Sequence, residues 1–231
     1  MSELEESCGG RIVLVPTPIG NLGDITLRAL EVLKSADRIA CEDTRRSGIL
    51  LSHHGISGKS LVSLHEHNEI RKSPELVAAA RAGETIAFIS DAGMPGVSDP
   101  GYRLVQACLD ASVPFDVLPG PSAVLTALIG SGLPCHAFRF GGFLSVKSGK
   151  RRTAMLAVIE SGETGIFFES PHRIVSTLEI LLEIAPDVRV CVARELTKKF
   201  ETYHRGSPAE LLGWFKSHGT KGEMVILMSR T

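Results

Sequence analysis

Along the first half of the chain, short apolar runs alternate with stretches whose apolar residues recur at helical spacing. Arg11-Ile12-Val13-Leu14-Val15 predicts a buried strand, and Asp24 to Ser35 carries Leu27, Leu30 and Leu33 on one helical face. Asp37 to Cys41 predicts a second strand. Ser73-Pro74-Glu75 predicts a helix start, with Ser73 as N-cap and Pro74 at the first helical position, and Gly83 suits the helix end. Thr85 to Ile89 predicts a strand, Tyr102 to Asp110 a helix and Pro114 to Leu118 another strand. Such alternation predicts an α/β fold, with a parallel or mixed sheet covered by helices.

The pattern breaks around Gly141 to Arg152, where Gly141-Gly142 and Lys147-Ser148-Gly149-Lys150-Arg151-Arg152 interrupt the apolar runs. This predicts a domain boundary, with one α/β domain over residues 1–140 and a second over 141–231. Beyond it, Gly165 to Phe168 and Val188 to Val192 predict strands flanking a helix from about Pro171 to Ile184. Phe200 to His204 alternates like an exposed strand, Ser207-Pro208-Ala209-Glu210 spells a capping box, and Met224 to Met228 predicts a closing strand. Phe167 and Phe168 are expected in the core of their strand, and Trp214 on the buried side of the last helix.

Composition narrows the class. With 231 residues, 43% hydrophobic and 22% charged, the chain has enough apolar material to bury a core in each half. No apolar run is long enough to span a bilayer, and the opening Met1-Ser2-Glu3-Leu4-Glu5-Glu6 is acidic where a secretory leader is basic, which points to the cytoplasm and away from membranes. The five cysteines (Cys8, Cys41, Cys108, Cys135, Cys191) are scattered, without the close pairs of zinc or redox motifs, and read as reduced, mostly buried thiols. A net charge of −1 leaves any contact with a polyanion to local basic patches.

Three predicted strands run into segments rich in Gly and Pro, where open α/β sheets place ligands. They are Pro16 to Asp24, Ser90 to Gly101, and Leu118-Pro119-Gly120-Pro121-Ser122-Ala123, the last entering a helix whose free N–H groups suit an anion or a carboxylate. None is a Gly-x-Gly-x-x-Gly dinucleotide fingerprint or a phosphate-binding Gly-Lys-Ser/Thr loop.

These segments, with Glu42-Asp43-Thr44-Arg45, Ser63 to Glu69, Phe168 to Arg173, Arg194 to Glu201 and Gly222-Glu223, resemble the ribosomal RNA small subunit methyltransferase I family of the tetrapyrrole methylase superfamily, in the family's order from about Arg11 to Leu227. The resemblance implies two α/β domains of the tetrapyrrole methylase type with a cofactor cleft between them, usually in a homodimer. It also implies 2′-O-methylation of a cytidine in 16S rRNA, within the 30S subunit, with S-adenosylmethionine as donor. By motif, the donor would touch Pro16, Ser90, Asp91, Ala92, Gly93, Pro119, Ser122 and Ala123, and in the second half Phe168, Glu169, Ala193, Arg194, Gly222 and Glu223. Pro16-Thr17-Pro18-Ile19-Gly20 stands where small-molecule methylases of the superfamily carry a Gly-x-Gly-Pro-Gly loop, which fits the RNA branch. Members of that branch often run longer at the C-terminus than this chain, which ends at Thr231.

A ribose hydroxyl is a weak nucleophile, so a base should take its proton. Candidates are Glu42, Asp43, His65, Glu66 and His67; the Glu42 to Arg45 segment reads equally as an ion pair capping the next helix. His65-Glu66-His67 would place two imidazoles on one face if it were strand, but no third ligand of suitable spacing accompanies them, so no metal is expected. For RNA phosphates the candidates are Lys147, Lys150, Arg151 and Arg152 on a flexible Gly/Ser segment, extended by Arg45-Arg46 and Lys198-Lys199.

Overall fold

The structure, a computed structural model, describes residues 9–230; Cys8 and the acidic opening lie outside the described residues. Two compact units divide the chain, one running to Pro121 and the other beginning at Ser122. The division therefore precedes the glycine pair Gly141-Gly142, which lies inside a strand of the second unit.

The first unit contains β1 (Arg11–Leu14), a 3-10 turn (Leu22–Asp24), α1 (Leu27–Ser35), β2 (Arg38–Cys41), α2 (Thr44–His53), β3 (Ser60–Ser63), α3 (Glu69–Arg81), β4 (Thr85–Ile89), α4 (Tyr102–Asp110) and β5 (Phe115–Val117). All five strands are parallel, in the order β3-β2-β4-β1-β5. Burial on both faces explains why β1 and β4 read as continuous apolar runs. Ile12, Leu14, Ile86 and Phe88 pack with Leu76, Val77 and Ala80 of α3 and with Leu104 and Cys108 of α4. Val13, Val15, Ala87 and Ile89 pack on the opposite side with Ala29 and Leu33 of α1 and Leu51 of α2. The chain winds outward from β1 through β2 to β3, then returns through β4 to β5, and right-handed crossovers put the two pairs of helices on opposite faces. β1 and β4 are therefore neighbours whose following helices leave on opposite sides, a topological switch point.

The second unit contains α5 (Ala123–Ser131), β6 (Phe138–Phe143), α6 (Ser148–Ser161), β7 (Thr164–Glu169), α7 (Ile174–Ile184), β8 (Arg189–Arg194), β9 (Thr202–Gly206), α8 (Pro208–His218) and β10 (Met224–Ser229). Its sheet has the order β6-β7-β10-β8-β9; only β6 and β7 are parallel. Helices α6, α7 and α8 share one core with Phe167, Val190, Val192 and Ile226. The capping box predicted at Ser207 is present, Ser207 and Glu210 each satisfying the other's backbone N–H. Tyr203 of β9 lies so close to α5 that a Cβ on Gly130 would sit 2.3 Å from its ring, while its hydroxyl donates to the Thr126 carbonyl at 3.3 Å.

Several expectations are corrected. α3 starts at Glu69, so Ser73 and Pro74 lie inside it rather than at its head. The missing proline N–H leaves the Ile70 carbonyl without its helical partner, and Ile70 is 72% exposed, so water can solvate that turn. The helix grows instead out of the turn before it, where the Asn68 and Glu69 N–H groups donate to the His65 carbonyl at 3.0 and 2.9 Å. α1 begins at Leu27 under a Thr26 cap, and Asp24 belongs to the preceding 3-10 turn. Ser148 to Arg152, expected to be flexible, form the first turn of α6. Phe168 is half-buried rather than core, its ring edge-on to Phe140 and Phe143, while Phe167 is buried. Trp214, as expected, packs against the core from α8, half-buried and stacked on His218. Cys41, Cys108 and Cys191 are buried free thiols and Cys135 an exposed one; burial pushes Cys108 and Cys191 up to about 11. Among the described residues, no helix is long and apolar enough to cross a membrane.

Candidate active site

Strand register assembles the motifs of the first unit. Cys41 is paired with Ser63 on one side and Ile89 on the other, while Leu14 is paired with Phe88 and Val117. The five strands therefore end level. The segments beginning at Pro16, Glu42, Leu64, Ser90 and Leu118 all leave from one carboxyl edge, where open parallel sheets bind ligands.

Backbone contacts lock these segments together. Thr17 and Gly93 exchange N–H to carbonyl bonds at 3.0 and 2.9 Å, and the buried Thr17 hydroxyl donates to the Ser90 carbonyl at 3.1 Å. Gly93 takes a φ of 78°, which an L side chain rarely adopts. Pro16 packs on Gly120 so closely that a Cβ there would stand 2.6 Å from the proline Cβ. The loops after β1, β4 and β5 thus form one rigid backbone surface, with Ala92, Pro119 and Gly120 exposed on it.

Asp91 links β4 to β2. Its carboxylate accepts from the Asp43 N–H at 3.1 Å and pairs with Arg46 at 3.2 Å, and its own N–H donates to Glu42 at 3.4 Å. Asp43 caps α2, accepting from the Arg45 N–H at 2.8 Å and pairing with the Arg45 guanidinium at 2.7 Å. These bonds hold its carboxyl far below the ordinary carboxylate range. Of the two readings of this segment, the capping ion pair is the one Asp43 fulfils.

His65-Glu66-His67 is not strand but the turn after β3, which removes the premise that its imidazoles share a strand face. Asn68 shapes that turn, accepting from the His65 N–H at 2.9 Å and donating to the Ser63 carbonyl at 3.1 Å. His67 is exposed, 3.4 Å from Glu66, and the His65 Nδ1 is buried without a partner. Among the described residues, no group of three or more His, Cys, Asp or Glu side chains can hold a metal ion.

Two residues outside the sequence-based candidates define the rest of the site. Glu69, 7% exposed, accepts from the Gly101 N–H at 2.7 Å and the Arg103 N–H at 3.0 Å, capping α4 from another helix. It anchors the loop that carries Asp99. Glu42, Glu66, Glu69, Ser98, Asp99 and Pro100 line a cavity of about 380 Å³. Burial, and then the nearby charge of Glu42, pushes the Asp99 carboxyl up to about 6; burial also raises Glu42. The only sequence sign of this was the density of Gly, Pro and Asp between Ser90 and Gly101.

The second-unit candidates divide sharply. Arg151 is buried and not available to RNA: it donates to Thr177 at 2.8 Å and Ser176 at 3.1 Å, and lies 3.8 Å from Glu169. Glu169 is itself saturated, accepting from Thr177 at 2.6 Å and the Ser170 N–H at 2.8 Å and pairing with Arg173 at 2.9 Å. Its side chain serves the core rather than a ligand. Arg152 pairs with Glu183, and Lys198 is held by Glu195 at 3.1 Å and Glu223 at 2.9 Å. Lys147 and Lys150 are exposed and in no ion pair among the described residues. Ala193 is buried in β8, Arg194 donates to the Lys221 carbonyl, and Ser122 caps α5 with its hydroxyl 3.4 Å from the Leu125 N–H. The Glu223 N–H donates to Glu195 at 2.8 Å, and Gly222 has a φ of 109° in a turn where Glu195 fills the space a Cβ would take.

This surface is close-packed glycine and proline backbone, which a small ligand can approach closely, beside the carboxylates of Glu42, Asp91 and Asp99.

Residues 11–212 match the family of Tetrapyrrole (Corrin/Porphyrin) Methylases. A protein of Hydrogenobaculum sp. (strain Y04AAS1), Ribosomal RNA small subunit methyltransferase I, is 46% identical over 95% of this chain and 96% of its own length. The protein of the same name from Vibrio cholerae serotype O1 (strain ATCC 39315 / El Tor Inaba N16961) is 51% identical over 94% of this chain and 76% of its own. Among solved structures, diphthine synthase superposes with a TM-score of 0.74 at 17% identity, covering 96% of this chain and 91% of that one.

Proposed function

The chain belongs to the tetrapyrrole methylase family, and from that premise we propose that it methylates the 2′-hydroxyl of a cytidine in 16S ribosomal RNA with S-adenosylmethionine as donor. The observation that carries the reading is the level register of β1 to β5, which brings the motif segments to one carboxyl edge. The relatives' name supplies the substrate class, and the resemblance supplies the 2′-hydroxyl, the assembled 30S subunit, the homodimer and the cytoplasmic setting.

When bound, the donor supplies an electrophilic methyl group on a sulfonium. The chain's share of the work is orientation, which can contribute about 7–11 kcal/mol of the barrier. Pro16, the Ser90 to Gly93 backbone and Pro119 hold the donor from the first unit. The resemblance adds Ser122, Ala123, Phe168, Ala193, Arg194, Gly222 and Glu223 as further residues for the donor. Glu169 acts by fixing the end of β7 through its buried bonds to Thr177, Ser170 and Arg173. Glu42 and His65, at the edge of the sheet, orient the ribose. Arg45 and Arg46, tied to Asp43 and Asp91, stiffen that edge, and Lys147 and Lys150 contact RNA phosphates.

Tritium transfer from labelled S-adenosylmethionine to 30S subunits, naked 16S rRNA and a porphyrinogen, measured side by side, tests the proposal. Label in 30S subunits at a single cytidine ribose is the expected result. Label only in the porphyrinogen would assign the chain to the small-molecule branch. Failure of calorimetry to detect S-adenosylhomocysteine binding to the folded protein would remove the donor.

A further inference from the structure

We propose that Phe143, with Phe140 beside it, forms a platform on which an unpaired base of the RNA substrate stacks. The platform lies wholly within the second unit. It rests on the RNA reading above and deepens it.

β6 is an edge strand of its sheet, yet it carries Phe138, Phe140 and Phe143 where edge strands ordinarily present charge. In a regular strand, residues three apart point to opposite faces, so Phe140 and Phe143 should be divided between the two sides of the sheet. They are not divided. Phe140 is level with Ile166 and Phe143 with Phe168, so β6 takes three steps where β7 takes two. The extra residue is a bulge at Gly142, which has a φ of 65° that an L side chain rarely adopts. Gly141 before it faces Phe167, whose ring a Cβ there would meet at 2.3 Å, and Leu144 after it is buried in the core shared with α6, α7 and α8. The bulge thereby turns Phe143 away from that core onto the other face, where it is 62% exposed.

On that face α5 packs over β8, β9 and β10, while β6 and β7 carry the rings. Phe168 stands edge-on to Phe140 and Phe143, with centroids 5.0 and 5.3 Å away. This packing fixes the rings before any ligand arrives, which lowers the entropy lost when a flat group stacks on them.

Neighbouring charge selects the partner. Val146, 76% exposed, continues the apolar patch, and Lys147 and Lys150 follow it at the head of α6, exposed and in no ion pair among the described residues. A second copy of the chain docked there about a two-fold axis would bring the lysines of both copies together, and their repulsion opposes that contact. A single RNA strand offers what both parts of the patch lack, flat bases for the rings and phosphates for the lysines. Every base has a π-face, so the platform holds an unpaired base in place without reading its edge.

Phe143→Ala tests this, with Phe143→Leu keeping apolar bulk and Phe143→Trp keeping a flat ring. Binding of the dye-labelled protein to 30S subunits is followed by fluorescence anisotropy. The Kd should rise roughly 10-fold for Phe143→Ala and for Phe143→Leu, and stay near wild type for Phe143→Trp. The slope of log Kd against log salt should keep its wild-type value in Phe143→Ala, because a stacked base releases no counterion. Affinity for S-adenosylhomocysteine by calorimetry, particle mass by light scattering and the fold by circular dichroism should all be unchanged. Wild-type affinity for 30S subunits in Phe143→Ala or in Phe143→Leu would overturn the platform. A loss of S-adenosylhomocysteine affinity as large as the loss for 30S subunits would place the ring at the donor, and a change in particle mass would place it between copies of the chain; either result overturns the platform too. Absence of methyl transfer to RNA by the wild type itself would instead overturn the reaction, and the platform with it.

Discussion

Replacing Glu69 by alanine should destabilise the first unit by about 3 kcal/mol. The buried Glu69 carboxylate accepts two N–H bonds, from Gly101 at 2.7 Å and Arg103 at 3.0 Å. Hydrogen bonds to a charged group contribute about 1.5–3 kcal/mol each, and a buried donor left unsatisfied costs about 1–3 kcal/mol. Because both bonds share one acceptor at one helix end, they do not add fully, and a value near that of one strong bond, about 3 kcal/mol, follows. Glu69→Gln keeps an acceptor oxygen but loses the charge facing the α4 N-terminus, so it should lose about half as much. Thermal unfolding followed by circular dichroism would register the alanine variant as a fall in Tm on the order of 10 °C. Hydrogen exchange should show protection lost selectively at the Gly101 and Arg103 amides. An alanine variant within about 0.5 kcal/mol of wild type, with those amides still protected, would refute the claim that Glu69 caps α4.

Four further outcomes follow from the same geometry. Gly120→Ala would drive a Cβ to 2.6 Å from that of Pro16; it should cost about 1–3 kcal/mol in urea titrations and weaken S-adenosylhomocysteine binding, since the loops after β1 and β5 must separate. Arg151→Ala leaves Glu169 with Arg173 at 2.9 Å but without its second cation, so a loss of about 3 kcal/mol is expected, near the low end for a broken buried pair. Lys147→Ala with Lys150→Ala should leave Tm unchanged but lower the slope of log Kd for RNA against log salt by about 1–2, whereas any such effect from Lys198→Ala would have to come through its bonds to Glu195 and Glu223. Asp99→Asn should stabilise the fold at pH 8. The folded pKa of Asp99, about 6, lies above the unfolded value near 3.9, so its contribution is fully present below the unfolded value and lost as pH rises through 6. Discounted for solvent screening, the variant should gain about 1–2 kcal/mol at pH 8 and nothing at pH 4; an equal difference at both pH values would contradict the sign.

Local pattern settled the elements whose period or cap is written in adjacent residues. β4 and α4 run over the spans their apolar spacing predicts, and Ser207 and Glu210 close the capping box their separation implies. The site was legible only as composition: the glycines, prolines and acids of Pro16 to Asp24 and Ser90 to Gly101 marked where a ligand belongs, not which carboxylate does what. Those roles were decided by contacts distant in sequence. Glu69, at the head of α3, serves a helix more than thirty residues away by capping its N-terminus. Arg151 leaves the surface because Thr177 and Glu169 meet it in the core. Asp99 differs from Asp43 because one is enclosed among like charges and the other is bound to a guanidinium. Hydrophobic period and caps act over a few residues and so can be read along the chain, whereas desolvation and charge pairing depend on which strands lie side by side, and only the folded register brings those groups within reach of one another.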